Sequence, residues 1–206
     1  MIAIVDYGAG NLGSVQKALR FLDAPCVVTN DAELMRSAEG VLLPGVGAFG
    51  DAMRSLRASG LLGTVRECAL SGKPFLGICL GYQVLFDSSD ESPDVEGLGL
   101  LGGKVLRIPS TDEDGAAQKV PHMGWNSLEF PNECPLFAGI EKDSYVYFVH
   151  SYYVKANNPK EVAAATRYTT VMDSAAWSGN MFGVQFHPEK SGAVGLAILK
   201  NFVGLT

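Results

Sequence analysis

Apolar and polar positions follow two textures along this chain. In the first, short apolar runs alternate with stretches in which apolar residues recur every three or four positions. Ile2 to Val5 reads as a strand, and Leu12, Val15, Leu19 and Leu22 then recur at helical spacing. Cys26 to Thr29 reads as a second strand, and Asp31 is placed to cap a short helix running through Ser37. Val41 to Leu43 is a third strand, ended by Pro44-Gly45-Val46-Gly47, with helices after it over Gly50 to Ala58 and Leu62 to Leu70. Phe75 to Ile78 is a fourth strand, with a helix expected beyond Cys79. Strands alternating with helices predict an α/β chain with a doubly wound, mostly parallel sheet.

From Gly103 the texture changes. Val105 to Ile108, Ser127 to Phe130, Tyr145 to Tyr153, Val162 to Tyr168 and Thr170 to Trp177 read as strands joined by short polar turns, which predicts antiparallel ribbons in the C-terminal half. Met181 to Phe186 closes that series, and Ala193 to Val203 reads as a final helix. The acidic stretch Thr111 to Gly115 is a solvated loop, and the whole chain, 1–206, is expected to form one domain.

Composition removes several function classes. Apolar residues make up 47% of the chain and charged residues 18%, enough for a well-formed core. The formal charge is −6 with no cluster of Lys or Arg, so a nucleic-acid partner is not expected. No apolar run reaches the length of a membrane helix, and the start has no signal-peptide pattern. The cysteines (Cys26, Cys68, Cys79 and Cys134) form no C-x-x-C pair, and the three histidines are scattered. Neither a metal site nor a cofactor is expected, and reduced thiols in a cytoplasm are the simpler reading.

One cysteine asks for chemistry. Cys79 lies in Gly77-Ile78-Cys79-Leu80-Gly81-Tyr82-Gln83, at the carboxyl end of a buried strand, where sheets of this kind bind ligands. A sharp strand–nucleophile–helix turn crowds the positions two before and two after the nucleophile, and glycine fits both. The following helix terminus favours a thiolate, and the Leu80 N–H would face a developing oxyanion. On its own this short motif is as compatible with a buried structural cysteine as with a nucleophile. Of the candidate bases, His187 ends an apolar strand in Gln185-Phe186-His187-Pro188-Glu189, and Glu189 shares its face at spacing i, i+2. That spacing suits a carboxylate that orients an imidazole, although a lone His-x-Glu is more often a surface pair. His122 and His150 have no acidic neighbour and read as structural or peripheral. The glycines of Pro44-Gly45-Val46-Gly47 let backbone approach a ligand, so the loop reads either as an ordinary strand-to-helix turn or as a second oxyanion donor, through the Val46 N–H, and a wall for the substrate.

Together Gly77 to Gln83 and His187-Pro188-Glu189 resemble the class I (triad) glutamine amidotransferases, over essentially the whole chain. The resemblance implies a flavodoxin-like sheet and a Cys79–His187–Glu189 triad that hydrolyses L-glutamine through a γ-glutamyl thioester. It implies Leu80 and Val46 as the oxyanion hole, and Gly47, Gln83, Ser151 and Tyr152 as substrate-binding residues. Asp6 to Asn11, Pro121 to Asn126, Phe148 to Tyr152 and His187 to Ser191 are similar to the branch of the family that serves histidine biosynthesis. That branch implies a heterodimer with a (β/α)8-barrel cyclase subunit that receives the ammonia, with Met123, Trp125, Asn126, Tyr145 and Lys190 as contact candidates. A glutaminase serving a vitamin B6 or anthranilate synthase, a stand-alone cysteine hydrolase and a non-catalytic module with a decayed site remain as alternatives. Met-Gly-Trp-Asn and Pro-Glu-Lys-Ser disfavour the first, and an intact Cys79, His187 and Glu189 disfavour the last.

Overall fold

Four consecutive buried residues, Ile2–Val5, form the first strand, β1, and show how the sheet is made. Ala3 and Val5 enter one apolar core and Ile2 and Ile4 the other, as alternation across a pleat requires. A strand apolar on both faces belongs inside a sheet covered on both sides. The computed structural model describes residues 1–206. After β1 come α1 (Leu12–Phe21), β2 (Cys26–Thr29), α2 (Ala32–Ser37), β3 (Gly40–Gly45), α3 (Phe49–Ala58), α4 (Leu62–Leu70) and β4 (Phe75–Cys79). The Asp31 carboxylate accepts from the Glu33 and Leu34 N–H groups at the start of α2, as its cap position predicts. Met35, Met53, Leu56 and Val65 from α2, α3 and α4 fill the core on one face, and Val15 and Leu19 from α1 lie in the other.

The second half adds α5 (Leu80–Gln83), β5 (Ser88–Ser89), β6 (Gly103–Arg107), β7 (His122–Ser127), β8 (Tyr145–His150), β9 (Tyr152–Ala156), β10 (Val162–Arg167), β11 (Val171–Ser178), β12 (Met181–Val184) and α6 (Gly192–Leu205). The main sheet has seven strands in the order β10-β11-β12-β4-β3-β1-β2. Its pairings from β12 through β2 are parallel, and β11 is antiparallel to both neighbours. Two smaller sheets add the antiparallel pairs β6-β9 and β7-β8, with the short β5 running parallel to β6. No helix is long and apolar enough to cross a membrane.

Several boundaries differ from expectation, each for a physical reason. Tyr145 to Tyr153 is two strands in two sheets, because the chain breaks at Ser151 between β8 and β9. Apolar residues continue across the break, with Tyr152, Tyr153 and Val154 following Ser151, so no run of polar residues marks it. Ser127 to Phe130 is not the strand; β7 ends at Ser127. Its apolar Met123 and Trp125 are exposed while His122 is buried, which inverts the usual pattern. β12 is antiparallel only to β11, and its other edge runs parallel to β4. β3 continues through Pro44 and Gly45, and the helix expected after Cys79 is a single turn.

Candidate functional site

The register of the main sheet assembles the site. β4 lies between β3 and β12, with Gly45 paired to Cys79 on one side and Val184 to Ile78 on the other. The Pro44–Gly47 loop and the His187 segment therefore leave the sheet on either side of Cys79. Cys79 holds φ 56° and ψ −110°, a backbone conformation that costs a non-glycine residue about 1–3 kcal/mol. The flanking glycines are needed because the turn leaves no space for a side chain. A Cβ on Gly81 would fall 1.7 Å from the Leu43 carbonyl oxygen, and one on Gly77 would fall 2.6 Å from that of Gly81.

His187 is anchored by its own backbone. Its N–H donates to the Tyr147 carbonyl at 2.9 Å, and its carbonyl accepts from Ser191 Oγ at 2.6 Å. The ring's Nδ1 is 2.8 Å from Glu189 Oε1, in a pair whose side chains are 3% and 1% exposed. A carboxylate accepts, so the hydrogen is on Nδ1. Nε2 is buried and has no hydrogen-bond partner in the protein. Burial pushes the imidazole towards its neutral form, but the nearby Cys79 and Glu189 outweigh it and raise its pKa to about 9. A protonated imidazole favours the thiolate of a neighbouring cysteine, the form that acts as nucleophile.

Cys79 and His187 open into one cavity of about 380 Å³, within the usual size range of small-molecule sites. Its walls bring together Val46, Gly47, Leu80, Gln83, Ser151 and Tyr152, and Lys190 lies at the same cavity. Glu189 is behind His187 and not in the wall. The Val46 N–H donates to no acceptor in the protein. The helix effect expected on the thiolate shrinks to local N–H groups, because the single turn α5 has little macrodipole. A larger cavity of about 520 Å³ lies at the far end of β11, walled by Phe130, Phe137 and Trp177, and its one cysteine, Cys134, has no histidine beside it in the wall.

The remaining residues singled out from sequence divide. Met123, Trp125 and Tyr145 stand exposed on the β7-β8 hairpin, at 62%, 54% and 56%. Asn126 is half-buried on the same hairpin, where its side chain donates to the Arg167 carbonyl and contacts His122. Sequence reasoning missed Glu91, the one acidic side chain in the cavity wall, which also accepts from the Phe49 N–H at the start of α3. Nothing local marks it, since a loop from elsewhere in the chain delivers it. It also missed Gln185, whose Nε2 is 3.8 Å from Cys79 Sγ. The signal for Gln185 was its i, i+2 relation to His187.

The family model for glutamine amidotransferase class-I matches residues 3–205. The chain belongs to the class I glutamine amidotransferase family. It is an enzyme, a glutamine amidotransferase. The imidazole glycerol phosphate synthase subunit HisH of Geobacillus thermodenitrificans is 50% identical over 205 residues, covering 100% of this chain and 96% of the relative. The subunit of the same name from Moorella thermoacetica is 52% identical over 201 residues, covering 98% and 93%. Among solved structures, a crystal structure of a glutamine amidotransferase superposes with a TM-score of 0.75 at 19% identity, covering 100% of this chain and 98% of that one. PurLQS from Thermotoga maritima superposes at 0.73 with 20% identity, covering 98% and 97%. At those identities the two structures speak to the fold, which is the mixed α/β arrangement with extra antiparallel strands expected above.

Proposed function

We propose that this chain is the glutaminase subunit of imidazole glycerol phosphate synthase, a single-domain cytoplasmic protein that releases ammonia from L-glutamine and passes it to a (β/α)8-barrel cyclase subunit. The observation that carries the chemistry is Cys79 on a strained turn, with the His187–Glu189 pair opening onto the same cavity. The branch of the family is supported by full-length relatives of that name at about half identity.

The groups on the wall suit the steps. Cys79 as thiolate attacks the carboxamide carbon of glutamine, and the carbonyl oxygen gathers charge against the Leu80 and Val46 N–H groups. His187 as imidazolium gives its Nε2 proton to the departing nitrogen, so ammonia leaves and a γ-glutamyl thioester remains. Water then attacks the thioester with His187 as base, and glutamate leaves as the thiolate returns. Both Gln83 amide hydrogens are used, on the Tyr152 carbonyl and on Gln185, so Oε1 is left to accept. With the Glu91 carboxylate on the same wall, that oxygen suits the α-ammonium of an amino acid, and Gly47, Ser151 and Tyr152 complete the wall. The exposed Met123, Trp125 and Tyr145 suit a docking surface, since Met and large aromatics are enriched in interfaces. The ammonia reacts in the partner to give imidazole glycerol phosphate and aminoimidazole carboxamide ribotide.

The test is Cys79→Ala in complex with the cyclase subunit. Glutamine-dependent synthesis should vanish while synthesis from ammonium salts continues at the wild-type rate. Loss of both activities would assign Cys79 a structural role instead.

A further inference from the structure

Gln185 follows β12 two residues before His187 and is 1% exposed. Its side chain spans from the nucleophile to the polar wall of the cavity, with Nε2 3.8 Å from Cys79 Sγ and Oε1 2.9 Å from Gln83 Nε2. An amide turned end for end keeps its shape, so which end faces the sulfur follows from its neighbours. Gln83 decides it. Its Nε2 is also 2.9 Å from the Tyr152 carbonyl oxygen. A carbonyl only accepts, so the Gln83 group there is the NH2, and its second hydrogen goes to Gln185 Oε1. Gln185 therefore presents N–H to Cys79.

The anchoring carbonyl is itself held. His150 Nδ1 is 2.8 Å from the same Tyr152 oxygen, which places the hydrogen on Nδ1 and the lone pair on Nε2. His122 Nδ1 donates to that lone pair at 3.0 Å, and His122 Nε2 accepts from Asn126 Nδ2 at 3.2 Å. Asn126 is oriented independently, because its Nδ2 donates to the Arg167 carbonyl and its Oδ1 accepts from the Ser127 N–H. The chain thus has the same donor–acceptor order from either end. Burial lowers the pKa of His122 to about 4 and that of His150 to about 3, so both rings stay neutral at any working pH and the order is fixed.

We propose that Gln185 is a further catalytic residue, donating its amide hydrogen to the Cys79 sulfur while that sulfur carries negative charge, and that His150 and His122 are positioning residues that hold its aim. The proposal rests on the reading of Cys79 as the nucleophile. A hydrogen bond to a charged acceptor is shorter and stronger than one to a neutral acceptor, so the 3.8 Å contact tightens when the thiol loses its proton. Negative charge is on the sulfur before attack and returns to it as the thioester breaks, so one fixed donor serves both steps. His187, from the turn after β12, and Tyr7, from the loop after β1, lie close enough for Cys79 to act on their protonation, and Glu91 and Lys190 are the charged side chains that line the same cavity. Gln185 is the neutral donor beside them, and its effect keeps one sign at every pH.

The experiment is alkylation of Cys79 by iodoacetamide in the full chain from pH 5 to 10, with the labelled site identified by mass spectrometry. Gln185→Glu keeps an oxygen for Gln83 to donate to and removes the donor to sulfur; Gln185→Leu removes both and adds no charge. At pH 7 the rate at Cys79 should fall about tenfold in Gln185→Leu and further in Gln185→Glu, and raising the pH by about one unit should restore the Gln185→Leu rate. His150→Phe should move the profile the same way by less, and an unmoved profile would remove the histidines from the proposal. A Gln185→Glu profile superimposed on the wild type overturns the role of Gln185. Shifted profiles in a chain that never hydrolyses glutamine, even with its partner, would support Gln185 while sinking the glutaminase reading.

Discussion

Replacing Glu189 with Gln keeps the size and shape of the side chain and removes one buried charge. In the wild type that carboxylate is 2.8 Å from His187 Nδ1, with both side chains almost fully enclosed. Burial alone would hold the ring below its ordinary value, yet its pKa is raised to about 9. Hydrogen bonding with Cys79 and Glu189, and after it their charge, therefore more than offsets the cost of desolvation. At an effective permittivity of about 20, two unit charges about 4 Å apart attract by about 4 kcal/mol. The amide oxygen of Gln still accepts from Nδ1–H, and a neutral bond keeps roughly half the strength of a charge-assisted one. The net loss is thus about 2 kcal/mol of preference for the imidazolium, or one to two pH units. The sign is definite: a carboxylate favours the protonated ring, so its removal lowers the pKa of His187. The assay is kcat/KM for glutamine hydrolysis by the complex with its cyclase partner from pH 6 to 10, which reports the ionisations of the free enzyme. The wild type should lose activity as pH rises through about 9, where the imidazolium that protonates ammonia is lost. In Glu189→Gln that alkaline limb should move down by one to two units, so the deficit is small near pH 6.5 and roughly fivefold to fiftyfold at pH 9. His187→Ala should cost more than Glu189→Gln at every pH, because members of one catalytic unit have unequal single effects. A uniform loss with the limb still near 9 would refute the electrostatic argument and leave Glu189 only a packing role.

Val46→Pro removes the N–H assigned to the oxyanion at a residue that is 45% exposed. Glutaminase kcat should fall about 100-fold to 1,000-fold while alkylation of Cys79 stays unchanged; wild-type kcat would remove Val46 from the oxyanion hole. Gly81→Ala places a methyl group 1.7 Å from the Leu43 carbonyl oxygen, against backbone that cannot yield cheaply. Its melting temperature should fall well below that of the wild type, and an unchanged one would mean that the turn is looser than its geometry requires.

How much of this was legible before the structure depends on how local each cause is. β1, β2 and α4 fall where the apolar spacing places them, because each has its period and its breaker residues in one short window. Gly77, Cys79 and Gly81 were legible for a similar reason: backbone crowding at a sharp turn acts on residues two apart. The split at Ser151 was not, since apolar residues continue from β8 into β9 while the hydrogen-bonding partner changes from β7 to β6. A strand's partner is a tertiary fact, and its own pattern records only which face is buried.

The same distinction explains the site. His187 and Glu189 are two residues apart and could be paired on paper. Glu91 could not, because its place in the cavity depends on a loop that caps α3 through the Phe49 N–H and reaches the wall that way. Its two duties are linked. One oxygen holds the start of the helix that follows the Pro44–Gly47 loop, and the carboxylate faces the space where the substrate's ammonium would sit. A ligand that draws on this carboxylate therefore acts on the helix start beside the Val46 N–H. Under the glutaminase proposal, recognition of the substrate's ammonium and support of the Pro44–Gly47 loop would share one side chain, which would tie the binding of glutamine to the loop that carries the Val46 N–H.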